Sequence, residues 1–174
     1  MKRLFTVLAV GLLTAGAAFA QQTPKFPGID ASPADIARYE ADGETIAKVV
    51  YSRPQMKGRE VFGELVPYGK VWRTGANEAT EITFYKDVMF GGKAVKAGTY
   101  TLFTIPGEDS WKVMLNSELN QWGAYRRKQE NDILEVEAGV KMLDDAVEAF
   151  TITFTKDGNM VFAWDKTMAS LPIK

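Results

Sequence analysis

Chemistry-bearing side chains are densest between Tyr51 and Glu81, in the stretch YSRPQMKGREVFGELVPYGKVWRTGANEATE. Four glycines and two prolines there impose unusual backbone turns, while Arg53, Lys57, Arg59, Lys70 and Arg73 supply positive charge. Arginine recognises carboxylate or phosphate in a planar, bidentate way. Trp72, Arg73, Asn77 and Glu78 place an aromatic ring, a guanidinium, an amide and a carboxylate within seven positions. In an extended chain Arg73 and Asn77 share a face, although Gly75 between them can break that register. A second segment, LNSELNQWGAY over residues 115–125, sets Asn120 and Gln121 beside Trp122 and Tyr125. A ring that stacks and amides that orient are the parts of a site for a sugar or another polar ligand.

Two absences narrow the reactions. The chain has no histidine and no cysteine. A Ser-His-Asp triad, a histidine base, a thiolate nucleophile, a disulfide and the usual zinc sites are therefore ruled out. Carboxylate, lysine, tyrosine or arginine chemistry remains, as do an oxygen-ligated hard metal and plain binding. No phosphate-cradling glycine motif and no calcium-loop pattern is present, so the expectation is no cofactor and no metal.

The elements that must position these residues follow a leader. Lys2 and Arg3 precede an apolar run, and Ala18-Phe19-Ala20 supplies a small-x-small cleavage pattern. The run is short for a membrane span, and Gln21-Gln22 follow it directly. Residues 1–20 are therefore expected to be a signal peptide cleaved after Ala20, giving a periplasmic or secreted protein with no integral membrane segment. Lys2 and Arg3 are two of the 21 basic side chains, so the 154-residue exported chain carries 19 against 22 acidic ones, a formal −3. Six of the basic residues fall within 48–73, and six acids (Asp132, Glu135, Glu137, Asp144, Asp145, Glu148) within 131–148. Either the two segments offset one another, or the first attracts an anion. Export and the acidic total exclude nucleic acid as an expected partner.

Residues 21–43 are expected to form an N-terminal tether and a short helix, with Ser32 as N-cap, Pro33 at the first helical position and Asp42-Gly43 as the stop. Residues 44–174 are expected to form one all-β domain, an antiparallel β-sandwich or barrel-like fold with one or two short helices. Short β-type runs recur at 46–51, 71–72, 80–85, 99–105, 111–115 and 133–138. Val88–Phe90 and Lys93–Val95 flank Gly91-Gly92, a two-residue hairpin signal. Phe150, Ile152 and Phe154 alternate with Thr151, Thr153 and Thr155 as in a half-buried strand. Residues 59–66 could add a helical turn or two, and 116–131 reads as a long loop with a helical turn near Tyr125.

The motifs YSRP, KGRE-FG-LVPYGKVWRTGANEATEI, KAGTY-LFTIPGE--W and LN--LNQWGAY together resemble the bacterial family called domain of unknown function 2911, over about residues 51–154. The resemblance implies an exported, β-rich protein and carries over no activity, cofactor or catalytic residue.

Three functions stay open on the residues. The first is an exported binding module for a small polar or anionic ligand such as a saccharide, walled by Arg53, Arg73, Asn77, Glu78, Asn120 and Gln121, with Trp72 or Trp122 as the stacking surface. The second is a histidine-independent hydrolase or lyase, with Glu78 as acid/base and Arg73 stabilising an anion. The third is a structural component of the cell envelope, in which Arg73 and Glu78 form a buried pair. Arg73 and the 120–122 loop are expected to line one cavity. Oligomeric state is not encoded in any of these features.

Overall fold

The computed structural model describes residues 24–174. The expected leader and its cleavage site lie outside the described residues. The rest is nearly all β. Nine strands form, in order β1 (Ala34–Ala41), β2 (Glu44–Ser52), β3 (Glu81–Phe84), β4 (Val88–Phe90), β5 (Lys93–Val95), β6 (Gly98–Ile105), β7 (Ser110–Asn116), β8 (Asp132–Phe154) and β9 (Asn159–Pro172). Seven make one antiparallel sheet, ordered β1-β2-β3-β6-β7-β8-β9 and curled into a half-barrel, and β4-β5 pair as a hairpin beside it. Among the described residues no helix is long and apolar enough to cross a membrane.

The curl divides the side chains between two faces. One face collects Ile46, Val49, Ile82, Phe84, Leu102, Trp111, Val113, Leu115, Val136, Phe150, Ile152, Phe162 and Trp164 into the main core. Its centre is aromatic. Trp72 stacks on Trp164 with centroids 6.0 Å apart and meets Phe150 edge-on at 4.9 Å, while Phe62 lies 4.9 Å from Trp111. Tilted and edge-to-face pairs at these separations are the favoured arrangements of aromatic quadrupoles. The opposite face of β6 and β7 carries Phe103 and Met114, fully buried with Ala79 in a second, smaller core.

A curled sheet leaves its rim with unpaired backbone groups, and buried ones must find partners. The YSRP motif supplies them. Tyr51 Oη accepts the Ile152 N–H at 3.0 Å and has two acceptors within reach of its own proton, the Ile152 carbonyl (3.3 Å) and Asp35 Oδ2 (3.4 Å). Burial pushes the Tyr51 hydroxyl above its ordinary pKa, so it stays protonated and can play both roles. Arg53 donates from Nε to the Phe150 carbonyl (3.0 Å), from Nη1 to Asp35 (3.1 Å) and from Nη2 to Thr151 Oγ1 (2.7 Å). Next to them, the Phe150 N–H reaches the Pro54 carbonyl and the Met56 N–H that of Glu148. Side chains and a short stretch of chain thus join the end of β2 to β8, where a full ladder is missing.

Three expectations need correction. The stretch expected as a helix before Asp42 is the strand β1, in register with β2 from Ala34↔Ser52 to Ala41↔Glu44. Asp42 and Gly43 both have positive φ (53° and 79°), the conformation of a tight hairpin turn rather than of a helix end. Residues 59–66 form turns, not helix, and the expected turn near Tyr125 is non-helical, a 3-10 turn lying instead at Gln129–Asn131. The third correction concerns β8, which continues as one strand of 23 residues through a polar middle, because that middle pairs with β9 across two register shifts.

Tyr51→Phe should cost about 1–3 kcal/mol, the desolvation cost of a buried Ile152 N–H left without its acceptor. Phe150→Ala should cost about 3–5 kcal/mol through lost transfer energy and a cavity. Urea unfolding of both variants measures this; a Tyr51→Phe effect below about 0.5 kcal/mol, the range of an ordinary surface change, would contradict the closure role.

Candidate functional site

The second, smaller core positions the site. Phe103 and Met114 face each other across β6 and β7, and two loops cover them. The first runs from Trp72 to Thr80 and is pinned to β6 at both ends. Trp72 and Thr104 exchange backbone hydrogen bonds at 2.7 and 3.0 Å, and the Leu102 N–H reaches the Thr80 carbonyl at 2.7 Å. Between the pins, Thr74 and Asn77 hold left-handed φ of 57°, a conformation that disfavours most side chains but suits Asn. Gly75 is required by space: a Cβ there would lie 2.9 Å from the Ser52 carbonyl oxygen.

The second loop, residues 117–131, is held from beneath by a polar network. Asn116, fully buried, donates to Asp132 Oδ1 (2.7 Å) and the Lys128 carbonyl (3.0 Å) and accepts the Glu118 N–H (3.0 Å). Arg127 pairs with Asp132, both side chains being largely buried, and its guanidinium lies 5.8 Å from the Phe103 ring centre. This is a charge pair with supporting hydrogen bonds, the condition under which buried charges are tolerated.

The two loops meet. The Gly123 N–H donates to the Asn77 carbonyl (3.1 Å) and the Ala79 N–H to the Gln121 carbonyl (2.8 Å), placing Glu78 opposite Trp122 in an antiparallel bridge. Gly123, at φ 70°, lies under two side chains: a Cβ there would stand 2.6 Å from the Tyr125 ring and 3.1 Å from Arg73 Nη1. Arg73 and Tyr125 therefore converge over one backbone atom.

Two cavities open on this surface. The larger, about 740 Å³, is lined by Asn120, Gln121, Trp122, Tyr125, Arg126 and Lys128, among others. The smaller, about 140 Å³, is lined by Val71, Trp72, Arg73, Ala124 and Tyr125. Tyr125 belongs to both. Trp122 is 64% exposed and Tyr125 83%, large values for rings of this size.

The expected site residues separate into groups. Asn120, Gln121 and Trp122 line the larger cavity, and Arg73 lines the smaller one, so Arg73 and the 120–122 loop are neighbours across Tyr125 rather than walls of one cavity. Trp72 lines the smaller cavity too, but its ring belongs to the aromatic core and its Nε1 donates to the Gly75 carbonyl (3.0 Å). Arg53 is withdrawn from the site, its guanidinium being spent on Asp35, Phe150 and Thr151 at the sheet rim. Asn77 donates its side-chain amide to Asp30 Oδ1 (3.1 Å); hydrogen bonds from the Ser32 backbone and Asn77 hold the Asp30 carboxyl below its ordinary pKa. Glu78 is exposed and lines a different small cavity with Tyr51, Ser52 and Glu81. It forms no salt bridge with Arg73.

Residues outside the expected set matter more. Six salt bridges occur among the described residues, and neither Arg73 nor Arg126 takes part in any. Lys128 is engaged by Glu118 at 3.0 Å, whose hydrogen bond raises the Lys128 pKa. Two guanidiniums thus stand without carboxylate partners beside two exposed rings. Tyr125, the last residue of the second candidate segment, and Arg126 lie two and three positions beyond Gly123, and nothing in the local pattern says which way they point. Among the described residues no group of three or more acidic side chains is placed to hold a metal ion.

A family model described as "Protein of unknown function (DUF2911)" matches residues 32–173. No curated protein and no solved structure matches the chain.

Arg73→Ala and Glu78→Gln should each change stability by less than about 0.5 kcal/mol, because neither leaves a buried charge behind. Asp132→Ala, which strands Arg127 over Phe103, should cost about 3–5 kcal/mol. Thermal melts of the three separate these cases; a loss of that larger size in Arg73→Ala would restore Arg73 as a structural partner.

Proposed function

We propose that this chain, which belongs to the DUF2911 family, is an exported binding module for a small polar or anionic ligand held on the surface made by its two meeting loops. The observation that carries the reading is the pair of exposed rings, Trp122 and Tyr125, flanked by Arg73 and Arg126 with no salt bridge. Single exposed apolar residues are ordinary, but two aromatic rings lining one cavity make a contiguous patch of the kind that marks binding sites. A cavity of about 740 Å³ is also within the ordinary range for ligand sites. Asn120 adds a polar group: its backbone N–H is taken by Glu81 (2.7 Å), while its side-chain amide is free of hydrogen bonds among the described residues.

An acid/base role for Glu78 has less support. Glu78 and Arg73 line different cavities, so the two groups that the hydrolase or lyase reading needs together stand apart. A purely structural role leaves Trp122 and Tyr125 without a purpose. Export through a leader ending at Ala20, to the periplasm or beyond, completes the proposal.

The test is a titration of the purified protein, followed by tryptophan emission, against neutral and acidic mono- and disaccharides, dicarboxylates and inorganic phosphate. At least one class should give a saturable change that Trp122→Ala abolishes without altering the melting temperature. The protein recovered from outside the cytoplasm should begin at Gln21 by mass spectrometry. No saturable change with any class would overturn the binding reading, and intact Met1 in the membrane fraction would overturn export.

A further inference from the structure

We infer that the ligand of this surface is an acidic oligosaccharide, its sugar rings stacked on Trp122 and Tyr125 and its carboxylates paired with Arg126 and Arg73. The inference rests on the binding reading above and names its ligand class.

The spatial order of the groups is the first reason. The larger cavity holds Trp122 and Arg126, the smaller one Arg73, and Tyr125 borders both. Each cavity therefore has access to a ring and an unpaired guanidinium, and the two are joined through a shared ring. A single monosaccharide engages one such set. A chain of acidic sugars engages both at once, repeating the same pairing from one ring to the next.

The chemistry of each set is the second. The faces of a pyranose are C–H surfaces, which bury apolar area against an aromatic plane while the hydroxyls stay at the rim. A hexuronate adds one planar carboxylate per ring, the group that a guanidinium meets with two parallel hydrogen bonds. The free side-chain amide of Asn120 suits hydroxyls, offering both donor and acceptor.

Charge density separates this class from nucleic acid, which also stacks and carries anions. Single-stranded nucleic acid is held by a continuous track of cations along its phosphates. Here Lys128, which lines the larger cavity, is neutralised by Glu118, and Arg127 beneath the loop by Asp132. Lys70 is exposed two residues before Trp72, outside both cavities. Two guanidiniums, Arg73 and Arg126, remain. That count suits a ligand with one charge per sugar, and the formal charge of −3 on the exported chain, 19 basic against 22 acidic side chains, disfavours a dense polyanion. Rigidity supports the same conclusion, since the bridge between Asn77, Ala79, Gln121 and Gly123 fixes the backbone on both sides of Trp122 before a ligand arrives, reducing the ordering cost of binding.

The experiment is calorimetric titration of the purified protein with tetragalacturonate, its fully methyl-esterified form and an oligothymidylate of equal length. The ester keeps the rings and removes the charges. The acid is expected to bind at least about tenfold more tightly than the ester, the effect of losing a charge-assisted hydrogen bond. Arg73→Gln and Arg126→Gln should each weaken the acid by a similar factor and leave the ester unchanged, with melting temperatures preserved. Trp122→Ala should weaken both. Equal binding of acid and ester, with Arg variants neutral, overturns the acidic ligand while the binding reading stands. Tighter binding of oligothymidylate, or no binding of the acid, also overturns it; the wider titration with other ligand classes then decides the binding reading separately.

Discussion

The structure depends on where the unpaired backbone groups at the rim of a half-closed sheet find their partners. β8 curls back until residues 148–152 approach the end of β2, but the two do not form a ladder. Tyr51 and Arg53 supply the missing donors and acceptors from their side chains, and Pro54 and Met56 supply two more from the backbone. A buried amide or carbonyl without a partner costs about as much as several good contacts contribute. The geometry of the curl is therefore set by four anchors within residues 51–56, two from side chains and two from the backbone, and the aromatic core of Trp72, Trp111, Phe150 and Trp164 packs inside the space they define.

Curling has a consequence on the other face. Phe103 and Met114 point away from the main core and would meet water if the loops did not cover them. Covering them takes two segments, and each segment brings its own backbone groups that need satisfaction. The 72–80 loop borrows β6, and the 117–131 loop relies on Asn116, Asp132 and Arg127. Where the segments meet they satisfy each other, Ala79 to Gln121 and Gly123 to Asn77. Once apolar burial and backbone hydrogen bonds are complete, Trp122, Tyr125 and Arg126 remain exposed, and Arg73 stays half-buried, its Nε 3.4 Å from the Gly75 carbonyl and without a carboxylate partner. Exposed rings next to unpaired guanidiniums are what is left after stability has been served, which is why function is sought there.

Strands with strict alternation were legible in the sequence. The Phe150–Ile152–Phe154 face and the Gly91-Gly92 hairpin form as their patterns imply. Ser32-Pro33 followed by Asp42-Gly43 was ambiguous, because a capped helix and the first strand of a tight hairpin share those residues; pairing with β2, a tertiary effect, decided for strand. The middle of β8 has no alternation to read, since its pairing with β9 and not its burial makes it a strand. Site residues were legible by segment but not by role. Both loops were recognisable as dense in chemistry, yet Arg53 and Arg73, alike in sequence, differ in that one faces the rim of the sheet and the other a cavity. Trp72 and Trp122 likewise exchange the roles that composition alone would allow them. The Arg127–Asp132 pair was hidden for the same reason: burial of a charge depends on what covers it, and the cover comes from β6, more than twenty residues away.

The central claim is that the two loops form one pre-organised surface joined through a short backbone bridge. Amide hydrogen exchange tests it most directly, because the Ala79 and Gly123 N–H groups are the two bonds of that bridge. If the loops are one unit, both amides should exchange only through the larger openings that also release Leu102 and Thr104 on β6, with protection of similar size. Exchange of Ala79 and Gly123 at the rate of open loops, while β6 stays protected, would contradict it.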